Sequence, residues 1–150
     1  MDLLNAPYVK DFIRMCQDAF DRGWHEINGG NLSYRIQGKE TQASRDAFDH
    51  GGPWKSLDIS APGLAGEYVL ITGTGKMFHN VKRRPLESIG IVQIDETGSR
   101  FRVVWGLDDG AGPTVELPVH LKLLEVKKHT TGARVVYHNH ASNIIVLTFL

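Results

Sequence analysis

Residues 134–143 read RVVYHNHASN, an apolar run that ends in two histidines, His138 and His140. The β-branched residues of this run predict a strand over 133–140, and the apolar residues that follow predict a helix over 141–150. Residues two apart in a strand share one face, roughly 7 Å from each other. The two imidazoles could therefore meet at one metal ion, or they could be ordinary hydrogen-bonded residues at a strand end.

The rest of the sequence alternates between helical and extended patterns. Helices are predicted at 8–23 and from Leu117 to about 129, and strands at 32–36, 67–73, 88–95 and 99–107. The turn at 96–98 joins the last two strands as a hairpin, which makes the sheet at least partly antiparallel. Residues 38–65 are polar and rich in turn formers, and they predict a long loop or insertion. This mixture predicts an α/β (α+β) layered domain.

Composition narrows the class of protein. A chain of 150 residues is the size of one domain, and its 17 basic residues balance 17 acidic ones. We therefore expect neither nucleic acid nor a membrane as a partner. The single cysteine, Cys16, excludes an internal disulfide and is expected to be a buried thiol. The sequence has no signal-peptide pattern and no apolar stretch long enough to span a bilayer, so we expect a cytoplasmic protein.

The predicted helix at 141–150 carries no stop signal. A helix as apolar as this one needs packing partners on most of its sides. We therefore expect residues 1–150 to be the N-terminal part of a single larger domain.

The segment PTVELPVH, residues 113–120, places a carboxylate just before a predicted helix. Glu116 could simply interact with the N-terminal N–H groups of that helix, or it could be a catalytic group. His120 lies four residues further on and could share a helix face with Glu116. A metal pair formed by these two residues is a weaker alternative.

Two glycine-containing segments could bind an anion. NGGN at 28–31 and ITGTGKMF at 71–78 could present backbone N–H groups to phosphate oxygens, although both also suit ordinary turns. The second segment is not a nucleotide-binding P-loop. That motif needs glycine where Leu70 stands and serine or threonine where Met77 stands.

Taken in order along the chain, NGGNLS, ITGTGKMF, PTVELPVH and VVYHNHASN resemble the class II, zinc-dependent sugar-phosphate aldolases. The resemblance covers about residues 8–37 and 66–150. Within it, GWHEINGGNLSYRI and WGLDDGAGPTVELPVH are most similar to the members that act on L-rhamnulose 1-phosphate. The resemblance implies a three-layer α/β/α fold on a mainly antiparallel sheet, and a homotetramer for the full-length protein.

The resemblance also implies roles for individual residues. His138 and His140 match two of three zinc ligands, with one Zn²⁺ per subunit and a third histidine outside this chain. Glu116 matches the catalytic carboxylate. The residues that match the phosphate-binding segments are Asn28, Gly30, Asn31, Thr74, Gly75 and Thr114. Val115 stands where the family often has serine, which removes one possible phosphate donor.

The activity implied for the full-length protein is retro-aldol cleavage of L-rhamnulose 1-phosphate to dihydroxyacetone phosphate and L-lactaldehyde. Residues 1–150 alone are expected to be inactive. Related metal-dependent alternatives are an L-fuculose-phosphate aldolase, a ribulose-phosphate 4-epimerase and a methylthioribulose-phosphate dehydratase. An alternative from another class is a non-catalytic, adducin-like binding domain.

Overall fold

A computed structural model of the chain describes residues 2–148 and contains one six-stranded antiparallel sheet. The strands are β1 Asn31–Arg35, β2 Lys55–Ser56, β3 Tyr68–Thr72, β4 Ile89–Ile94, β5 Arg100–Gly106 and β6 Val135–His138. Their order across the sheet is β2-β5-β4-β3-β1-β6, and every neighbouring pair is antiparallel. The predicted hairpin is β4–β5, and the expected mainly antiparallel sheet is confirmed.

Helices cover both faces of this sheet. They are α1 Pro7–Asp21, α2 Gly38–Ser44, α3 Phe78–Val81, α4 Pro85–Ser88, α5 Leu117–Thr130 and α6 Ser142–Leu147. The two long helices lie within two residues of their predicted bounds. In α5, Pro118 occupies the first turn, where its missing N–H is not needed, and Lys127 and Lys128 occupy the last turn.

Two buried clusters fill the space between the sheet and the helices. Alternate residues of a strand point to opposite faces, so Leu70 and Ile91 pack towards α1 while Val69 and Val92 pack towards α5. The sheet is therefore the middle of three layers, as expected. Cys16 is completely buried in the α1 cluster, and burial raises the pKa of its thiol.

Residues 38–65 were predicted to be a long loop or insertion, and the structure shows that they are not a continuous loop. This segment contains α2, a 3₁₀ turn at Arg45–Ala47, the short edge strand β2 and a second 3₁₀ turn at Pro62–Leu64. The carboxylate of Glu40 accepts a hydrogen bond from the backbone N–H of Gln37 at 2.7 Å and so stabilises the start of α2. Isolated apolar residues in the segment, including Leu57 and Leu64, are buried against the sheet.

The C-terminal prediction needs two adjustments. The predicted strand over 133–140 is only Val135–His138, so His140 lies beyond its end. The predicted helix over 141–150 is observed as α6, and residues 149–150 lie outside the described part of the chain. Ile144, Val146 and Leu147 of this helix are exposed. Among the residues that the structure describes, no helix is long and apolar enough to cross a membrane.

The packing of α5 on the sheet can be tested with two leucines of that helix. Leu121 is fully buried, whereas Leu123 is 44% exposed. We predict that Leu121→Ala lowers the free energy of unfolding by about 2–5 kcal/mol, because it leaves a cavity in the core. Leu123→Ala is the matched control and should cost less than about 1 kcal/mol. Urea denaturation provides the measurement, and equal losses for the two variants would contradict the observed orientation of α5.

Candidate active site

The candidate site lies at the end of the sheet where β1 and β6 pair. In this ladder Asn31 lies opposite His138, and Ser33 lies opposite Val136. Val136 packs in the α5 cluster, and alternation along β6 places the His138 side chain on that same face. The predicted metal ligand and the predicted phosphate-binding asparagine are therefore neighbours on adjacent strands.

Glu116 approaches this end of the sheet from the start of α5. Its carboxylate Oε2 lies 2.9 Å from Nδ1 of His138, and both side chains are partly exposed. The carboxylate makes no capping hydrogen bond to α5, which rules out the alternative that it serves mainly as a helix cap. The hydroxyl of Thr114 instead accepts from the backbone N–H of Glu116 at 3.3 Å. The Glu116 side chain is thereby left to face His138.

The contact between Glu116 and His138 has a consequence for the imidazole. An ionised carboxylate can only accept hydrogen bonds, so a neutral His138 must carry its proton on Nδ1. The lone pair then belongs to Nε2, which is the nitrogen left to bind a metal. A carboxylate that orients a ligating histidine in this way is a common feature of zinc sites.

His140 is brought to the site by the chain that follows β6. Its backbone N–H donates to the carbonyl of Trp24 at 2.9 Å, and its ring centroid lies 5.0 Å from that of His138. Nδ1 of His140 lies 3.5 Å from Oε1 of Glu26. The pair is thus close together although only His138 belongs to the strand, so the expectation of neighbouring imidazoles is met by a different local geometry.

Gly29 and Gly30 of the NGGN segment lie so close to these histidine residues that a side chain at either position would clash. A Cβ added at Gly29 would lie 2.5 Å from Nδ1 of His140. Gly30 has a φ of 83°, and a Cβ there would lie 2.6 Å from the carbonyl oxygen of His138. The segment therefore packs directly against the histidine pair. A side chain at Gly29 would displace the imidazole of His140, and one at Gly30 would displace the backbone carbonyl of His138.

The chemistry of this donor set suits a zinc ion in part. Two imidazoles that share a tetrahedral ion at about 2.0 Å from each nitrogen would have ring centroids on the order of 5 Å apart, which matches His138 and His140. A zinc site needs at least three protein ligands. Residues 2–148 contain no group of three histidine, cysteine, aspartate or glutamate side chains arranged to hold a metal ion. The site as described is therefore a two-histidine portion.

Two backbone hydrogen bonds and one side-chain hydrogen bond join the three predicted phosphate-binding segments. The N–H of Thr114 donates to the carbonyl of Thr72 at 2.9 Å, and the N–H of Thr74 donates to the carbonyl of Gly112 at 3.0 Å. The amide Nδ2 of Asn31 donates to Oγ1 of Thr114 at 3.3 Å. These bonds hold the 73–75 turn, the 112–114 segment and the start of β1 beside one another.

The exposure of these residues differs. Asn28, Thr74 and Gly75 are exposed, whereas Asn31 and Thr114 are buried. The exposed residues can reach solvent-borne oxygens directly, and the buried ones are fixed by their hydrogen bonds. Together they offer amide, hydroxyl and backbone groups, and Asn31 among them lies opposite His138. We name this predicted phosphate-binding set the phosphate cradle, and its members are Asn28, Gly30, Asn31, Thr74, Gly75 and Thr114.

Lys76 does not belong to this cradle as a free cation. Its ammonium group forms an ion pair with the carboxylate of Asp109, and this contact is the largest cause of the lowered pKa of Asp109. The structure shows that Lys76 joins the turn after β3 to the loop after β5.

Sequence reasoning did not find His25, and it did not predict the buried contacts of His120; both histidines lie behind the site. His120 is buried and bonded to Ser33 and Asn31, so it does not pair with Glu116 as a metal ligand. His25 is buried against Phe78, with Nδ1 2.7 Å from the carbonyl of Gly29. Burial lowers the pKa of His25, and it lowers the pKa of His120 to about 4. The available signal was a histidine at 120 within the apolar face formed by Leu117, Leu121 and Leu124.

Comparison with known proteins agrees with the family resemblance. Rhamnulose-1-phosphate aldolase of Mannheimia succiniciproducens is 34% identical over 99% of this chain and 56% of its own length. The corresponding enzyme of Escherichia coli O81 is 39% identical over 99% of this chain and 55% of its own length. The chain therefore spans about half the length of the curated relatives it matches.

The fold is also found among solved structures. The crystal structure of a sugar-phosphate aldolase from Thermotoga maritima matches 94% of this chain and 56% of its own, with a TM-score of 0.77 at 21% identity. This likeness shows a shared fold. The family signature described as Class II Aldolase and Adducin N-terminal domain matches residues 10–150, and the chain belongs to that family.

Proposed function

We propose that this chain is the N-terminal part of a zinc-dependent aldolase that cleaves L-rhamnulose 1-phosphate to dihydroxyacetone phosphate and L-lactaldehyde. The observation that carries the proposal is the Glu116–His138 contact beside His140 and the phosphate cradle. The relatives at 34–39% identity that are named rhamnulose-1-phosphate aldolases support the choice of substrate. The proposal concerns the whole protein. The relatives with this name are nearly twice as long as the present chain.

Each group of the site has a task in this reaction. His138 and His140 would hold the zinc ion together with a third ligand from outside residues 2–148. When bound, the ion would supply Lewis-acid stabilisation for negative charge that develops on the substrate oxygens. Asn31, Thr114 and the 73–75 turn would hold the phosphate, so that binding energy from this remote group fixes the position of the reacting carbons.

Glu116 would transfer the proton of the reacting carbon. When the C3–C4 bond breaks, the electron pair stays on the dihydroxyacetone phosphate fragment, and C3 of that fragment must gain a proton. Oε2 of Glu116 faces His138, and Oε1 makes no hydrogen bond within the described part of the chain. Oε1 is therefore the oxygen that would carry the proton to C3, and in the direction of synthesis it would remove that proton.

The assembly and location of the protein belong to the same proposal. We propose a homotetramer that acts in the cytoplasm on a small phosphorylated ketose, with no nucleic-acid or membrane partner. The equal numbers of basic and acidic residues support a small-molecule substrate over a polyanion. Light scattering on the full-length protein would report the number of subunits.

A chimaera tests the proposed reaction. In it, residues 1–150 are followed by the remaining part of the E. coli O81 relative, which this chain does not span. We predict cleavage of L-rhamnulose 1-phosphate that is lost on chelation and restored by zinc, measured by coupled detection of dihydroxyacetone phosphate. Residues 1–150 alone should show little or no turnover. Measurable, chelator-sensitive cleavage by residues 1–150 alone would contradict the need for a third ligand.

The role of Glu116 predicts a separation of metal binding from turnover. In the chimaera, Glu116→Gln should keep its zinc and lose roughly two or more orders of magnitude in kcat, because an amide cannot transfer the proton. Glu96→Gln is the matched control, since Glu96 is an exposed residue of the β4–β5 turn. Wild-type kcat in Glu116→Gln would remove this residue from the mechanism.

The ligand role of His138 predicts a loss of metal. His138→Ala should abolish stoichiometric zinc in the purified chimaera, as measured by elemental analysis, because two remaining ligands bind zinc poorly. His129→Ala, a substitution of an exposed histidine in α5, should leave the zinc content unchanged. A zinc content in His138→Ala equal to that of the unmodified protein would refute the assignment. Absence of zinc from both the unmodified chimaera and His138→Ala would favour a non-catalytic, adducin-like domain.

A further inference from the structure

Four polar side chains form a continuous hydrogen-bond chain behind the phosphate cradle. Oγ of Ser33 lies 2.6 Å from Nδ1 of His120, and Nε2 of His120 contacts Oδ1 of Asn31. The amide Nδ2 of Asn31 then donates to Oγ1 of Thr114 at 3.3 Å. All four residues are buried. The chain begins in the α5 cluster of the core and ends at the cradle.

The donor-to-acceptor direction of this hydrogen-bond chain is fixed at Ser33, its buried end. A neutral imidazole carries one proton, so either Nδ1 or Nε2 of His120 is the donor. Ser33 is fully buried, and within residues 2–148 its hydroxyl has no hydrogen-bond partner besides His120. If Nδ1 carried the proton, the Ser33 hydroxyl would have no acceptor, and buried donors without acceptors are rare and costly. Ser33 therefore donates to Nδ1, and Nε2–H donates to Asn31.

Burial supports the neutral form of this histidine. It lowers the pKa of His120 to about 4, a larger effect than the opposing attraction of Glu116. His120 therefore carries a single proton at neutral pH. An imidazolium would donate at both nitrogens and would leave the Ser33 hydroxyl without its acceptor.

The direction of the hydrogen bonds set by Ser33 also determines how the Asn31 amide is oriented towards the cradle. Because Oδ1 of Asn31 accepts from His120, the amide must present its NH₂ group to Thr114. Oγ1 of Thr114 accepts from this NH₂ group and from the backbone N–H of Glu116, each at 3.3 Å. Both lone pairs of the hydroxyl are thus engaged. Its proton has no acceptor in the described part of the chain and remains to be donated.

At Asn31 and Thr114 the cradle therefore offers donors and not acceptors. The second N–H of Asn31 and the hydroxyl of Thr114 both suit a phosphate group, whose ionised oxygens only accept hydrogen bonds. If the hydrogen bonds ran in the opposite direction, Oδ1 of Asn31 would face Thr114. The Thr114 hydroxyl would then donate its proton to Oδ1 of Asn31. The NH₂ group of Asn31 would then be turned away from the cradle and the Thr114 proton would be engaged, and the amide oxygen in its place would repel an anion.

We propose that Ser33 and His120 are positioning residues that set the direction of the hydrogen-bond chain, so that Asn31 and Thr114 act as donors to a phosphate group. This inference rests on the phosphate cradle of the proposed function and adds two residues that do not touch the substrate. It states which tautomer His120 adopts and how the Asn31 amide is oriented. Both can be measured on the 150-residue chain.

The first test needs no substitution. In ¹⁵N-labelled protein, long-range ¹H–¹⁵N correlation spectra distinguish the protonated from the unprotonated nitrogen of each histidine. We expect His120 to be neutral between about pH 6 and 8, with the proton on Nε2, because its buried site disfavours the charged form. A proton on Nδ1 would overturn the proposal.

The second test measures the affinity of the chain for inorganic phosphate. Ser33→Ala removes the hydroxyl that fixes the direction, and His120→Leu removes the link to Asn31. Each should weaken phosphate binding by about tenfold or more, the size expected for a lost hydrogen bond to a charged group. His120→Gln should recover part of the affinity, because its amide can still donate to Asn31. A folded Ser33→Ala protein with the affinity of the unmodified chain would overturn the proposal.

Two substitutions provide matched controls. Ser44 is a buried serine bonded to the hydroxyl of Tyr8, and His129 is an exposed histidine on the same helix as His120. Ser44→Ala and His129→Leu should leave the phosphate affinity unchanged. Equal weakening in the controls would mean that general destabilisation is the cause, and this too would overturn the proposal.

The proposed reaction and this inference fail in different ways. Phosphate binding that depends on Ser33, combined with no aldol cleavage by the chimaera, would overturn the reaction and leave the inference intact. Cleavage by the chimaera with full phosphate affinity in Ser33→Ala would overturn the inference alone. No phosphate binding by the unmodified chain would overturn the inference whatever the chimaera does.

Discussion

The antiparallel pairing of β1 with β6 is the constraint on which the candidate site depends. It sets Asn31 opposite His138 and turns both side chains to the face covered by α5. A shift of one residue in this register would move His138 to the α1 face, away from Glu116. The register is held because Leu32 and Tyr137 pack in one core cluster while Val136 packs in the other. The two hydrophobic cores thus fix the positions of the polar groups between them.

The polar groups on that face are organised by hydrogen bonds with one another. Glu116 fixes the tautomer of His138, and His120 fixes the orientation of the Asn31 amide. In both cases a donor–acceptor choice made by one residue determines what its neighbour can bind. Such preorganisation lowers the cost of ordering the site when a ligand arrives. It also explains why two of the participating residues need not contact a ligand.

The sequence predicted much of the fold because its signals were local. The amphipathic pattern of α1, the proline and lysines of α5 and the β4–β5 turn each specify an element without reference to the rest of the chain. Residues 38–65 were harder, since β2 pairs with β5 across a long sequence separation. The strand bound at His138 was also misplaced. The chain leaves the ladder there to bond Trp24, a contact that no local pattern encodes.

The same distinction between local signals and long-range contacts applies to the candidate site. Glu116, His138 and His140 were singled out from motifs, and the structure brings them together. His120 was considered only as a partner of Glu116, because spacing on a helix says nothing about the strand that the helix covers. Its contacts with Ser33 and Asn31 span 87 and 89 residues of sequence. Buried polar pairs of this kind become visible only when the packing of helix on sheet is known.

The most direct test of the account is the position of the metal. Crystals of the zinc-loaded full-length protein, measured at the zinc absorption edge, would give an anomalous difference map that locates the ion independently of any assumption about ligands. The account predicts one peak per subunit, within coordination distance of both His138 and His140 and adjacent to Glu116. A peak bound by only one of these histidines, or by neither, would contradict it.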